Sequence, residues 1–450
     1  MNENNTPHDS KIEKQTKKSQ IYCYIFLFTL GVSSLSGWNA FLSGLSYFAD
    51  QYYGRNVYFI MPIPNFVGSC LIGLLLPRIS YLFSMFFKVV WSLAILCILL
   101  ILLPIIASEI HSAKGYWFCL ITIFLMSLFQ SLQSYCCIGI SQILGPYYVY
   151  IYFVGTGASG IILTLFRIIS LASIQSENSI YLCIGIAILW NIVAIIMYFQ
   201  FTNTSQYRKI ILTQLKGSKS VSFDYHNNIK VESKNQIQNN KINSDSINSE
   251  FTDQIILTQD VDLILNNQLI YQNTQQLSLK RSNAITTLVQ INKIAFPIPF
   301  LILILYIQTF MMFPGVALQK PFFSEFINWG QTLIILGFNI GDTLGKFLAN
   351  YRKLFNLPIL IGLFLLRFAF FYTYIKIAKG SQNDKLISYF NTFLFGISNG
   401  FLTTGYMILG SEKTSEDFVK EKIGFVLGFS LCLGIMLGTF LALPFSNISD

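Results

Sequence analysis

The sequence predicts an all-α polytopic membrane protein that crosses the lipid bilayer about eleven times. Two observations lead to this fold class. Of the 450 residues, 53% are hydrophobic and only 11% are charged, whereas about 25% of the residues of a typical soluble domain are charged. In addition, apolar stretches of roughly 20 residues, the length that crosses a hydrocarbon core about 30 Å thick, recur along almost the whole chain.

The apolar stretches indicate helices, because strands of a membrane barrel would alternate apolar and polar residues in segments of about ten. Windows of hydropathy predict six spans before a long polar segment and five after it. They are 21–48, 57–77, 83–107, 116–140, 149–172, 180–202, 294–318, 327–351, 357–378, 387–410 and 422–445.

The long polar segment, residues 203–293, is rich in Asn, Gln, Ser, Lys and Ile. We expect it to be a largely disordered cytoplasmic loop, because it cannot bury enough apolar area to offset chain entropy. The predicted organisation is therefore a tail, two membrane blocks separated by this loop, and a short end. These parts are the cytoplasmic N-terminal tail 1–20, spans 1–6 in 21–202, the loop 203–293, spans 7–11 in 294–445, and the external C-terminal tail 446–450.

Basic residues set the expected orientation. There are 30 Lys and Arg against 21 Asp and Glu, and most of the basic residues lie in the N-terminal tail and in the segments on the same side as residues 203–293. The positive-inside rule then makes the N-terminus cytoplasmic and the C-terminus external. We read this charge as a topology signal and expect no nucleic-acid partner. The expected location is the plasma membrane.

The eighth span carries a polar stripe. In the run GFNIGDTLGK, Asn339, Asp342 and Lys346 fall within about 60° of one another at ~100° per residue. Asp342 and Lys346 are four residues apart, so we expect them to form an ion pair, which lowers the cost of placing either in a membrane. Two interpretations stay open: the pair could fasten the helix bundle together, or it could line a permeation path.

Glycines in the same span form a second face. Gly337, Gly341 and Gly345 recur every four residues, roughly 130° from the polar stripe, a pattern that lets another helix approach closely. In the fifth span, the run GTGASG from Gly155 to Gly160 also predicts close helix packing. The phosphate-loop interpretation of that run is weak because it lies inside a membrane span.

Other polar residues interrupt apolar runs elsewhere. Trp38 and Asn39 lie well inside the first span and predict an aromatic face and an amide directed at a central cavity; for Trp38 the alternative is a place in an interfacial aromatic belt. Arg367 is a second intramembrane cation in the ninth span, with functional and structural roles equally open. The sequence has no Ser-His-Asp, HExxH, Walker or metal-ligand pattern, so we predict no catalytic residues, no metal site and no cofactor.

Several of these motifs together resemble the equilibrative nucleoside transporter family. The resemblance covers most of the membrane portion, in the family's order and with its large loop between the sixth and seventh spans. The residues that carry it are Gly37-Trp38-Asn39 with Phe41 and Tyr47-Phe48, then Phe313, Pro314 and Val316, then Phe338, Asn339, Asp342, Gly345 and Lys346, then Arg367, and finally Ser398, Asn399 and Gly400.

The resemblance implies a major-facilitator-like arrangement of six helices against five and transport by alternating access. It implies that Trp38 and Leu42 surround the nucleobase and that Asp342 and Lys346 contact ribose hydroxyls. The full set of expected substrate-binding residues is Trp38, Asn39, Leu42, Thr156, Phe313, Asn339, Asp342 and Lys346. The expected structural or gating residues are Arg367, Asn399, Gly341 and Gly345.

Three positions depart from the family pattern. Lys346 replaces an arginine, Thr156 stands where many members have glutamine, and Gly37 replaces a proline. The expected function is facilitative transport of nucleosides, extending to nucleobases, with the bilayer and the small-molecule substrate as partners and no obligate protein partner. Two alternatives remain: proton-coupled transport with Asp342 as the titrating group, and a non-transporting receptor or scaffold that uses the long loop.

Overall fold

The computed structural model describes residues 7–79, 82–173, 179–213, 289–319, 322, 327–351, 356–380 and 385–446. Over these ranges the secondary structure is helical and contains no strands, which confirms the all-α prediction. Most of the predicted polar loop, residues 214–288, lies outside the described part of the chain. Its described ends contain helix at 205–213 and 289–295.

The N-terminal half contains the six predicted spans. Each one is a long apolar helix, and the third begins with a single π-helical turn, Phe87–Trp91. The six helices are Pro7–Ser43, Pro62–Ile79, Ser92–Glu109, Ala113–Leu144, Pro146–Ser173 and Ser179–Phe201.

The first predicted span is interrupted near its end. The long helix stops at Ser43, and Leu45–Gln51 forms a separate short helix that was expected to continue the span to residue 48. The break falls at Gly44, and glycine is a poor helix former because it loses the most backbone entropy on folding. A second short helix, Val57–Ile60, precedes the second long helix.

The C-terminal half contains the five remaining spans. The ninth is divided into two shorter helices at Arg367 and Phe368, where hydrogen bonds of the i to i+3 type tighten the turn. The helices are Ile298–Met312, Ile327–Leu348, Leu357–Leu366 with Ala369–Ala378, Lys385–Ser411 and Asp417–Ala442.

Within the described ranges, ten helices are long and apolar enough to cross a membrane. The helix of the eighth predicted span, Ile327–Leu348, is not among them. Its 22 residues would extend about 33 Å at ~1.5 Å per residue, but its polar stripe lowers its mean hydropathy. This helix is long enough to span a bilayer, and its polar stripe is buried against neighbouring helices.

Glycines bring pairs of helices into backbone contact inside each half. In the N-terminal half, Gly31 of the first span lies against the carbonyl oxygen of Tyr152, and Gly155 of the fifth span lies against that of Phe28. In the C-terminal half, Gly341 and Gly345 of the eighth span lie against the tenth span. These contacts leave no room for a side chain and make each pair a closely packed unit.

The two halves meet where the fifth span packs against the eighth. Gly157 lies against Thr343, and Gly160 lies against the side-chain amide of Asn339. The GTGASG run therefore serves helix packing, as predicted. The line of contact between the two halves, called the seam below, runs directly beside the polar stripe of the eighth span.

Candidate functional site

The polar stripe of the eighth span contains a buried ion pair. Lys346 Nζ lies 2.6 Å from Asp342 Oδ2. Only 8% of Asp342 and 5% of Lys346 is exposed. The predicted pairing is confirmed, and helical spacing of four residues explains it.

Hydrogen bonds from two other helices complete the ion pair. Lys346 donates to Thr156 Oγ1 at 3.0 Å, and Asn399 Nδ2 donates to Asp342 Oδ1 at 2.8 Å. Thr156 belongs to the fifth span and Asn399 to the tenth, so the cluster joins both halves across the seam. A buried ion pair needs such additional partners, because its own attraction does not offset the loss of hydration.

Arg367 lies next to this cluster in the C-terminal half. Only 1% of it is exposed, and its guanidinium donates to Thr309 Oγ1 at 2.7 Å and to Ser398 Oγ at 2.8 Å. The guanidinium carbon also lies 4.0 Å from the centroid of the Phe395 ring, a cation–π distance. Arg367 is therefore held by hydroxyls and an aromatic face.

The two asparagines that were expected to bind substrate, Asn39 and Asn339, bond to the fifth span. Asn39 Nδ2 donates to Ser159 Oγ at 3.1 Å, and Asn339 Nδ2 donates to Thr164 Oγ1 at 3.0 Å. Asn39 and Ser159 both lie in the N-terminal half, whereas the bond from Asn339 to Thr164 crosses the seam. Asn339 thus belongs to the same stripe as Asp342 but engages a different partner on the opposing helix.

Aromatic rings surround Trp38. Its ring centroid lies 4.8 Å from that of Phe66 and 6.4 Å from that of Phe310. Phe310 belongs to the seventh span, so this aromatic cluster also reaches across the seam. Leu42, one turn further along the first span, is almost fully buried. Trp38 is thus an interior ring and not part of an interfacial belt.

Phe313 stacks on Phe338, with ring centroids 4.1 Å apart. Phe338 directly precedes Asn339 in the eighth span. The arrangement combines flat apolar surfaces with a carboxylate that can accept hydrogen bonds and an ammonium that can donate them. Such a set of groups can recognise a neutral molecule that has both an aromatic ring and hydroxyl groups.

The structure brings Thr156, Asp342, Lys346 and Asn399 into direct contact. Thr309, which was not among the predicted site residues, links Arg367 to Asn399. Its signal in the sequence is the polar pair Gln308-Thr309 inside the apolar run ILILYIQTFMM. Ser159, Thr164 and Phe310 were also missed, because their importance depends on which helices pack together.

Comparison with known proteins matches the chain to one family and to several relatives. The family model described as nucleoside transporter matches residues 120–446. The chain is 22% identical to equilibrative nucleotide transporter 1 of Arabidopsis thaliana over 97% of this chain and 88% of that protein. It is 21% identical to equilibrative nucleotide transporter 8 of the same plant over 95% of this chain and 96% of that protein.

A shorter match is found with nucleoside transporter 2 of Leishmania donovani, at 28% identity over 31% of this chain and 28% of that protein. Among solved structures, the chain resembles the proton:xylose symporter XylE of the major facilitator superfamily, with a TM-score of 0.61 and 11% identity. That match covers 96% of this chain and 89% of that structure. It confirms the major-facilitator-like fold. Since the family model matches most of the chain, the protein belongs to the nucleoside transporter family.

Proposed function

We propose that this protein carries nucleosides across the membrane, down their concentration gradient, by alternating access between the two halves. The observation that carries the proposal is the buried Asp342–Lys346 pair, which Thr156 and Asn399 connect to both halves. Ionisable groups at membrane depth are costly and commonly mark a substrate pathway. A charged cluster on the seam is where a substrate would contact both halves at once.

The proposed contacts follow from the chemistry of the groups. Asp342 accepts hydrogen bonds from ribose hydroxyls, and Lys346 donates to the ribose oxygens. Trp38 and Leu42 form the wall around the nucleobase, with Phe313 as a further aromatic surface. Asn39, Thr156 and Asn339 supply amide and hydroxyl groups that exchange their present partners for polar atoms of the substrate. Gly341 and Gly345 hold the eighth span against the tenth while the seam rearranges, and Arg367 and Asn399 support the ion pair.

Nucleobases are a second proposed substrate class. A nucleobase lacks ribose, so its transport would depend on the aromatic wall more than on the ion pair. We further propose that the protein works in the plasma membrane. The distribution of basic residues supports a cytoplasmic N-terminus.

The first test is uptake of radiolabelled adenosine, uridine and hypoxanthine in cells that lack endogenous nucleoside transport. Wild type should exceed the empty vector for adenosine and uridine. Asp342→Ala should reduce nucleoside uptake by more than about tenfold, because it leaves Lys346 as an unpaired buried charge and removes the hydroxyl acceptor. Wild-type uptake equal to that of the empty vector, despite normal surface expression, would refute the proposal.

Two further experiments test the alternatives, proton-coupled transport and a scaffold that does not transport. Uptake into liposomes that is unchanged by an imposed pH gradient supports facilitative transport, whereas uptake that follows the gradient indicates proton coupling. A scaffold that acts through the long loop predicts that deleting residues 214–288 abolishes activity while Asp342→Ala does not. Transport predicts that Asp342→Ala is the more damaging change.

A further inference from the structure

A chain of three hydrogen bonds connects the buried cation Arg367 to Asp342. Arg367 Nη2 lies 2.7 Å from Thr309 Oγ1, and Thr309 Oγ1 lies 2.8 Å from Asn399 Oδ1. Asn399 Nδ2 then lies 2.8 Å from Asp342 Oδ1. The four residues come from the seventh, eighth, ninth and tenth spans, so the chain crosses most of the C-terminal half.

The chemistry of the two ends fixes the direction of every bond in this chain. A guanidinium only donates, so Thr309 Oγ1 must accept from Arg367. A carboxylate only accepts, so the amide nitrogen of Asn399 must face Asp342 and its amide oxygen must face Thr309. Each donor therefore points from the cation towards the anion, and bonds aligned in this way polarise one another.

The hydroxyl of Thr309 accepts one hydrogen bond of this chain, from Arg367, and donates the next, to Asn399. Its single proton has two acceptors at the same distance, Asn399 Oδ1 and the helical carbonyl oxygen of Leu305, each 2.8 Å away. Only 1% of Thr309 is exposed, so water cannot easily reach this position to take over the hydrogen bonds of the hydroxyl. Removing the hydroxyl would leave both Arg367 and the amide oxygen of Asn399 short of a partner.

We propose that Thr309 is a positioning residue that fixes the orientation of the Asp342 carboxylate for substrate hydroxyls. The proposal rests on the proposed function of Asp342. With Asn399 on Oδ1 and Lys346 on Oδ2, both carboxylate oxygens are held, and their remaining lone pairs keep defined directions. Without the hydroxyl of Thr309, the amide oxygen of Asn399 loses this donor, so the amide can rotate and its hydrogen bond to Asp342 Oδ1 is no longer held in one direction.

The test compares a substitution that removes the hydroxyl of Thr309 with one that keeps it. Thr309→Val removes the hydroxyl and keeps the branched shape, whereas Thr309→Ser keeps the hydroxyl and removes a methyl group. Each variant is assayed for uptake of adenosine and of 2′,3′-dideoxyadenosine, which lacks the ribose hydroxyls that Asp342 would accept from. We expect Thr309→Val to raise the KM for adenosine about tenfold, the effect of one lost hydrogen bond to a charged group.

The selectivity for hydroxyls distinguishes positioning from a general structural role. Thr309→Val should change the KM for 2′,3′-dideoxyadenosine by less than about twofold, and Thr309→Ser should stay within about twofold of wild type for both substrates. Equal losses for the two nucleosides in Thr309→Val would overturn the proposal. So would a KM for adenosine in Thr309→Val equal to that of Thr309→Ser.

The same experiment separates this inference from the proposed function. If wild type takes up neither nucleoside, the proposed function fails and the inference fails with it. If wild type takes up adenosine and Thr309→Val is unaltered, the inference alone fails. Should Thr309→Val not reach the membrane, Thr309→Ala removes the same hydroxyl without adding bulk, and the same comparison with Thr309→Ser decides.

Discussion

At the scale of single residues, the ion pair uses only part of its hydrogen-bonding capacity. An ammonium has three N–H donors, and Lys346 directs them at two partners, Asp342 and Thr156. Within the described part of the chain these are its two polar partners, so one N–H is left that the proposed substrate contact would use. The arginine that the family resemblance leads us to expect at this position would present a planar fork with five donors, so a lysine would make a less directional contact with the proposed substrate.

The burial of the pair has a consequence for stability. Lys346→Met leaves the Asp342 carboxylate buried without its cation, and breaking a buried pair in this way typically costs about 3–5 kcal/mol. The matched control is Lys209→Met, which removes the 3.0 Å pair with Asp417, whose side chains are 47% and 28% exposed. An exposed pair of that kind contributes about 1 kcal/mol or less.

Thermal unfolding of the detergent-solubilised variants, followed by fluorescence, measures both effects. We expect a much larger drop in Tm for Lys346→Met than for Lys209→Met. Equal drops would mean that the pair of the eighth span is not held in a low-dielectric environment.

The sequence predicted this pair but not its partners. A spacing of four residues places Asp342 beside Lys346 on any helix, so the pairing follows from local geometry alone. Thr156 and Asn399 lie far away in the sequence, and only the packing of the fifth and tenth spans brings them to the pair. The polar pair Gln308-Thr309 marks Thr309 in the sequence, but its bonds to Arg367 and Asn399 likewise depend on helix packing.

At the scale of the helices, the eighth and tenth spans fit together through glycines on both sides. Gly341 and Gly345 lie against backbone atoms of the tenth span, and Gly396 and Gly400 lie against backbone atoms of the eighth. The repeated four-residue step predicted that another helix would approach this face. The tenth span carries the same step, so each helix supplies small residues for the other.

A methyl group at this contact should disrupt the packing. Gly400→Ala directs its new carbon at the carbonyl oxygen of Asp342, which is a backbone atom and cannot turn away. Overpacking of this kind costs roughly 1–3 kcal/mol and would also shift Asp342. The control is Gly362→Ala in the ninth span, where a new β-carbon meets no atom within 4 Å.

Both glycine variants are compared for Tm and for adenosine uptake per molecule at the cell surface. Gly400→Ala should lose in both measurements, while Gly362→Ala should match or exceed wild type in stability because alanine favours the helix. A Gly400→Ala variant that behaves like Gly362→Ala would contradict the close packing.

Hydropathy predicted the existence of the helices better than their details. It did not predict the break at Gly44 or the division of the ninth span at Arg367, because both depend on local backbone geometry inside otherwise apolar runs. It also predicted the eighth span as a membrane helix, although this helix is not among the ten apolar ones and its polar stripe is covered by neighbouring helices. Apolar length decides whether a segment can enter a membrane, whereas helix ends depend on finer interactions.

At the scale of the whole molecule, hydrogen bonds join the two halves towards both ends of the helices. Gln331 Nε2 donates to Tyr58 Oη at 2.6 Å near the start of the second and eighth spans. Gln142 Nε2 donates to the carbonyl oxygen of Met407 at 3.1 Å near the end of the fourth and tenth spans. Alternating access requires these two sets of contacts to open in turn.

A reversible cross-link across the seam should therefore stop transport. Gly157 and Thr343 face each other directly: a β-carbon at Gly157 would lie 3.1 Å from the Cα of Thr343, so cysteines at the two positions can be joined after the helices shift by a few tenths of an ångström. In the double variant, Gly157→Cys with Thr343→Cys, oxidation should abolish most adenosine uptake and reduction should restore it. The two single variants control for oxidation of the eight natural cysteines.

Mass spectrometry of the linked peptides shows whether cross-linking is complete. Full uptake by the completely cross-linked double variant would show that the seam does not move during transport. Loss of uptake that reduction does not reverse in the single variants would instead indicate damage at the individual positions.

The sequence alone predicts that the protein crosses a membrane much more directly than it predicts the substrate. Composition and apolar length predict a helical membrane protein directly, because burial in lipid depends on each segment by itself. The proposed recognition of a substrate depends on side chains from helices far apart in the sequence, such as Trp38, Thr156 and Asp342. The nucleoside was therefore predicted through resemblance to a family and not through the physics of single segments.

The most direct measurement is counterflow in liposomes that contain the purified protein. Vesicles loaded with excess unlabelled adenosine are diluted into a trace of labelled adenosine, without any ion gradient. Wild type should accumulate the label transiently above equilibrium, because a carrier that alternates returns from the inside loaded with unlabelled substrate, and Asp342→Ala should not. Labelled adenosine that never exceeds its equilibrium level with wild-type protein would contradict nucleoside transport by alternating access.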